Sequence, residues 1–227
     1  MVIFLLVTIP YVFILVYYRP SPESLKVSSV SIKENFKAIK VSISSGILLL
    51  FIFLIITQFS FTEVDEDFHS IFGLTNIKEG AKLWPLQLFS HLLIHVDAYH
   101  VLSNVFAIGL ASTYERRVGS TRFFMVLMVG AFSSVPSILF YYDPITISGI
   151  SGGIFALAAA YFTDFENLTA RQWVSAILMF LLVVLMLSIT GEGSLTSEAD
   201  FQVDHFGHFL GALGGIVYCR LKPLKLG

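Results

Sequence analysis

Seven long apolar runs, separated by short polar stretches, divide the chain near 2–18, 43–61, 91–113, 122–142, 150–163, 172–190 and 205–221. A helix rising 1.5 Å per residue needs about 20 apolar residues to cross hydrocarbon, so the pattern predicts an all-α polytopic membrane protein. The first run has no basic n-region and no small-residue cleavage site, and reads as a retained helix. The fifth run, 14 residues from Ile150 to Thr163, is short; it covers about 21 Å of the roughly 30 Å of hydrocarbon. With one end anchored at Asp164 and Glu166, its other end stops part-way through the bilayer, and Ser151 lies below the surface. Residues 144–149 then descend as irregular backbone, which is tolerated at such depth only inside protein or along a wet cavity. A water-filled cavity opening outward is expected.

Composition agrees with this picture and narrows it. The 227 residues are 56% hydrophobic and 13% charged, with a mean hydropathy of +0.80, far from the usage of an ordinary soluble domain. No Lys/Arg cluster interleaves with exposed aromatics, so a nucleic-acid partner has no support. The single Cys219 excludes an intramolecular disulfide or a cysteine-based metal site. Charge fixes an orientation through the positive-inside rule. Arg19, Lys26, Lys33, Lys37 and Lys40 precede the second run, Arg116, Arg117 and Arg122 follow the third, and Arg220, Lys222 and Lys225 close the chain. These segments are expected on the cytoplasmic side. Glu63, Asp65, Glu66 and Asp67, Asp143, and Glu192, Glu198, Asp200 and Asp204 mark the opposite side.

Polar residues inside apolar runs are costly and mark sites of function. Ser151 stands in Gly149-Ile150-Ser151-Gly152 at the start of the short run, where first-turn N–H groups and the positive dipole end favour a developing anion. A bland alternative makes these glycines helix-packing contacts and Ser151 incidental polar glue. The last run weighs against that alternative. His208, Gly211 and Gly215 fall on one helix face, and Gly152, Ala156 and Ala160 form a matching small-residue stripe on the serine helix. Packed together, the two stripes bring His208 to Ser151, and an imidazole within hydrogen-bond reach makes a serine nucleophilic. A third constellation holds His91, His95, His100 and Asn104. Asp97 reads as an N-cap, placing His100 and Asn104 one turn apart on one face as donors for an oxyanion. His91 and His95 have i, i+4 spacing, but His91-Leu92-Leu93-Ile94-His95 lacks the glutamate of the HExxH metalloproteases. No metal is expected.

These strings, in this order, resemble the rhomboid intramembrane serine proteases over residues 43–221. The family pattern HxxxHxxxxHxxxN is met by His91, His95, His100 and Asn104, GxSG by Gly149 to Gly152, and HxxGxxxG by His208, Gly211 and Gly215. The resemblance implies a six-helix core, Ser151 as nucleophile and His208 as general base. It also implies an oxyanion hole of His100, Asn104 and the Ser151 backbone N–H, and needs no cofactor. Glu115, Arg117 and Gly119 look like the structural ExRxxG segment, Leu86-Gln87 stands where Trp-Arg is usual, and Phe155 replaces the tyrosine that often stacks on the histidine. The expected organisation is an extra N-terminal transmembrane helix (1–18), a basic cytoplasmic linker (19–42), the protease core (43–221) and a short tail (222–227). Transmembrane proteins are the implied substrates, reached laterally in the bilayer past the fifth run or its neighbour, the uniformly apolar stretch of Trp173 to Thr190. The setting expected is a bacterial inner membrane, with the site opening on the extracytoplasmic face. A rhomboid-like pseudoprotease and a multipass transporter are the alternatives. Ser151, His208 and both donors weigh against the first, and the absence of paired half-repeats against the second.

Overall fold

A computed structural model describes residues 32–77, 80–165, 168–189 and 203–224. The expected first span, 2–18, lies outside them, as do the first part of the basic linker and the acidic positions Glu192, Glu198 and Asp200. The described chain runs through α1 (Ile32–Ala38), α2 (Lys40–Ile56), α3 (Glu66–Phe72), β1 (Leu74–Thr75), a 3-10 turn (Gly80–Leu83) and α4 (Trp84–Ser90). It continues through α5 (Ala98–Val118), α6 (Ser120–Ser134), a second 3-10 turn (Val135–Phe140), β2 (Thr146–Ile147), α7 (Ser151–Asp164), α8 (Ala170–Ile189) and α9 (His205–Leu221).

The third span differs most from its expected bounds. Hydropathy predicts a helix from His91, but His91 to Asp97 is non-helical and α5 begins only at Ala98. The reason is local: the Asp97 carboxylate accepts the His100 N–H at 2.6 Å and so starts the helix there. At its other end α5 runs on past residue 113 to Val118 and stops at Gly119, whose φ of 82° suits glycine. Similarly, α2 ends at Ile56 rather than 61, because Gln58, Phe59 and Phe61 take positive φ. Among the described residues, the helical stretch Ser120–Phe140, with hydropathy 2.1, is long and apolar enough to cross a membrane, and Lys40–Ile56 is apolar but shorter. The last turn of α5 carries Glu115, Arg116 and Arg117, which dilutes its hydropathy.

Short α7 is the axis of the bundle. It packs on α6 and α9, which also pack on each other, while α2 packs on α5. Where apolar helices meet in an apolar solvent, small residues permit the close approach that drives association. A Cβ on Gly211 would strike the Gly152 carbonyl oxygen, one on Gly215 would stand 2.8 Å from the Ala156 carbonyl oxygen, and one on Gly130 would strike the Ala156 Cβ. Backbone therefore touches backbone along α7.

Polar groups lock the two ends. At one, the buried Glu115 carboxylate accepts the Val41 N–H (2.9 Å), the Ser42 N–H (2.8 Å), the Ser42 hydroxyl (2.6 Å) and the Ser120 hydroxyl (2.7 Å). It thereby caps α2 from α5. Beside it, Asp164 at the end of α7 accepts the Tyr114 hydroxyl at 2.5 Å and a two-pronged Arg122 at 2.7 and 2.6 Å. Such planar pairing is both strong and directional. At the other end, β1 pairs antiparallel with β2, Leu74 opposite Ile147 and Thr75 opposite Thr146. Asn76 reinforces the pairing by donating to the Tyr141 and Asp143 carbonyls and accepting the Ile145 N–H. The segment leading into Ser151 is thus fastened to the long 57–97 connection.

Candidate active site

Ser151 is the first residue of α7, so its neighbourhood is one of helix N–H groups without intrahelical acceptors. Gly149 turns the chain into it at φ 101°, with its N–H on the His91 carbonyl oxygen at 2.7 Å. A Cβ at this position would also meet His100 Nε2 at 2.9 Å, so glycine is required on two counts. From α9, His208 reaches across the Gly152–Gly211 contact, and its Nε2 lies 2.7 Å from Ser151 Oγ. Phe155, one turn along α7, stacks on the His208 ring at 4.4 Å between centroids and 17° between planes. The ring is thereby clamped between a hydroxyl at its tip and an aromatic face.

The remaining residues singled out in the sequence divide between the site and its supports. His100 comes to the Gly149 turn and packs edge-on against His95 at 4.9 Å. Asn104 is wholly buried and donates to the His100 carbonyl at 2.9 Å. Its Oδ1 and the His95 Nε2 are buried with no hydrogen-bond partner among the described residues. His91 is buried, its Nδ1 against the Gln87 carbonyl at 2.6 Å. Gln87 is itself fully buried and donates to the Ile71 carbonyl at 3.1 Å, while Trp84 donates to the Thr75 carbonyl at 2.7 Å. The Leu86-Gln87 departure thus falls in a hydrogen-bonded loop. Glu115, Arg117 and Gly119 lie far from Ser151, at the Asp164 end, where the Arg117 guanidinium donates to the Tyr161 hydroxyl at 2.7 Å and covers the Phe165 ring at 4.0 Å. That is a structural setting.

Several groups at the site escape sequence reasoning. His69 on α3 contacts Ser148 Oγ through Nε2 at 3.0 Å, directly before the Gly149 turn that leads into Ser151. Nothing local distinguishes it, since the contact bridges 79 positions. Burial pushes its imidazole down to about 4. Ser134 of α6 closes on Gly152. Asp204, which the sequence offers only as a loop charge, caps α9 by accepting the Gly207 N–H at 2.7 Å; its place just before an apolar helix is the available signal.

The geometry is that of an α-helical bundle in which a serine and a histidine from two helices meet at 2.7 Å. A family model, the Rhomboid domain, matches residues 81–222, more than half of the chain, which therefore belongs to the rhomboid family. It is accordingly an integral membrane protein, an intramembrane protease or a pseudoprotease of that family. A search of curated proteins found no significant match.

Proposed function

We propose that this chain is an active intramembrane serine endopeptidase that cuts a peptide bond in or near the transmembrane segment of other membrane proteins. The observation that carries the reading is the 2.7 Å contact between Ser151 Oγ and His208 Nε2, with Phe155 holding the imidazole flat. In the proposed reaction the Ser151 hydroxyl gives its proton to His208 Nε2 as its oxygen attacks the scissile carbonyl. The imidazolium then returns that proton to the leaving amine, and water hydrolyses the acyl-enzyme by the same route in reverse. The Ser151 N–H at the start of α7, with His100 and Asn104, is assigned to the oxyanion. The core is read as six spanning helices, α2, α5, α6, α7, α8 and α9, preceded by one further helix at the N-terminus, with the Ser151 end extracytoplasmic in a bacterial inner membrane.

Lateral access past α8 fits the packing. Among the described residues, rings of that helix meet rings of α7, Phe180 on Phe155 at 6.3 Å and Trp173 on Phe162 at 5.2 Å. An apolar cavity of about 50 Å³ lies where α5, α7 and α8 meet, lined by Leu110, Leu157, Ala158 and Phe180 among others. A substrate helix must unwind to expose a carbonyl, so segments with Gly or Pro near the cut are the expected substrates. The test is cleavage of single-span reporters by the full-length protein in proteoliposomes. Wild type is expected to cut, and Ser151→Ala and His208→Ala to fail while remaining folded. A folded wild type that binds the reporters without cutting any of them assigns the chain to the pseudoproteases instead.

A further inference from the structure

A glycine seam brings two helices close but leaves them smooth. With no side chains interlocking at Gly152 and Gly211, little along that seam fixes how far α9 slides or turns against α7. Yet hydrogen bonding at the site demands that register: N–H···O and O–H···N contacts lose their strength beyond about 3.2 Å, and a misplacement of about 1 Å costs on the order of 100-fold in rate. Something else must set the axial position of His208.

The groups that do so stand one turn before it. Asp204 Oδ1 accepts the Gly207 N–H at 2.7 Å and the Tyr141 hydroxyl at 2.7 Å, and Oδ2 accepts the Ser137 hydroxyl at 2.5 Å. The Asp204 carbonyl accepts the His208 N–H at 3.0 Å. Ser137 is fully buried and belongs to the Val135–Phe140 turn that continues α6, and Tyr141 follows directly. One carboxylate therefore joins the start of the histidine helix to the end of α6, which itself packs on the serine helix. Gly207 is part of the device, since a Cβ there would strike Asp204 Oδ2; only glycine lets the carboxylate fold back over the helix start. At the opposite end of α9, Arg122 grips the Lys222 carbonyl at 2.6 Å, but that anchor is about four turns from the histidine.

Resting on the reading of Ser151 and His208 as a working pair, we propose that Asp204 is a positioning residue for catalysis. Held by Ser137 and Tyr141, it sets the register of α9 and hence the distance from His208 Nε2 to Ser151 Oγ. It touches no reacting atom and acts through the helix it starts.

The experiment measures kcat and KM on a cleaved reporter for full-length wild type, Asp204→Ala, Asp204→Asn, Ser137→Ala and Tyr141→Phe, with thermal unfolding of each. Asparagine caps helices as well as aspartate and still accepts from Gly207, so Asp204→Asn is expected to keep kcat within about threefold of wild type. Asp204→Ala is expected to lose at least about tenfold in kcat with KM unchanged, a shift of well under 1 Å on the same scale. Ser137→Ala and Tyr141→Phe are expected in between, and they decide the matter should Asp204→Ala fold poorly. Glu115→Gln, at the far end of the bundle, serves as a control that lowers stability without lowering kcat. Wild-type kcat in a folded Asp204→Ala, an Asp204→Asn no better than the alanine, or a Glu115→Gln that loses kcat in step with its stability overturns the proposal. An inactive wild type overturns the protease reading and the proposal with it, whereas active wild type with unaffected variants overturns the proposal alone.

Discussion

The His208 imidazole is fixed by what touches it, and each contact makes a separate prediction. Phe155 offers a flat face 4.4 Å away, and aromatic pairs of this kind contribute about 1 kcal/mol beyond area burial. Phe155→Ala is therefore expected to lower kcat by about fivefold, and Phe155→Tyr to restore it, in steady-state cleavage of a reporter. An alanine variant with undiminished kcat contradicts the clamp. Ser151, His208, His100 and Asn104 stand out in the sequence because each is a polar group in an apolar run, where desolvation makes an idle one costly. The contact between Ser151 and His208 spans 57 positions, so it is legible only through the paired glycine stripes. His69, Ser137 and Tyr141 are not legible, because each acquires its meaning from a partner more than 60 positions away.

At the scale of elements, the small-residue seam explains how a 14-residue helix packs backbone to backbone at the centre of the bundle. Gly211→Ala and Gly215→Ala separate two effects. Both force a methyl group into α7 backbone, an overpacking that costs about 1–3 kcal/mol. Gly211 faces Gly152, next to Ser151, whereas Gly215 faces Ala156 one turn further away. Comparable losses in thermal unfolding are thus expected, with the greater loss of kcat in Gly211→Ala; equal losses of kcat contradict the account. Glu115→Gln probes the far end. Four donors point at this buried carboxylate, and an amide turns its NH₂ towards at least one of them. A loss of about 3 kcal/mol is expected, read as a lower unfolding temperature with unchanged turnover of the folded protein. The helices are legible to within a few residues wherever a hydrophobic run ends in polar chain, as at α7 and α9. Hydropathy misplaces the start of α5, where the run continues across turn residues and only the Asp97 cap marks the true beginning.

For the molecule as a whole, the 57–97 connection acts as a frame for the approach to Ser151. Its β1 strand, Asn76, His69 and the His91 carbonyl all hold the segment from Tyr141 to Gly149. Hydropathy leaves residues 62–90 of this connection as a gap between the expected runs and absorbs its two ends into them, so its architecture has little sequence signal beyond turn residues and the Asp97 cap. The frame has a pH dependence. His69 has a folded pKa pushed down to about 4 from 6.5, so between those values the unfolded chain binds the extra proton. Its contribution to stability is complete above about pH 6.5 and is lost as the pH falls towards 4. Thermal unfolding of the purified protein across that range is expected to show a shallower acid decline for His69→Gln than for wild type; identical slopes contradict the assignment. The central claim, that Ser151 is a nucleophile activated by His208, is tested most directly by mapping a fluorophosphonate adduct on the folded full-length protein by mass spectrometry. A single adduct on Ser151 is predicted, absent from Ser151→Ala and His208→Ala. No adduct on folded wild type, or an adduct that persists in Ser151→Ala, contradicts the claim.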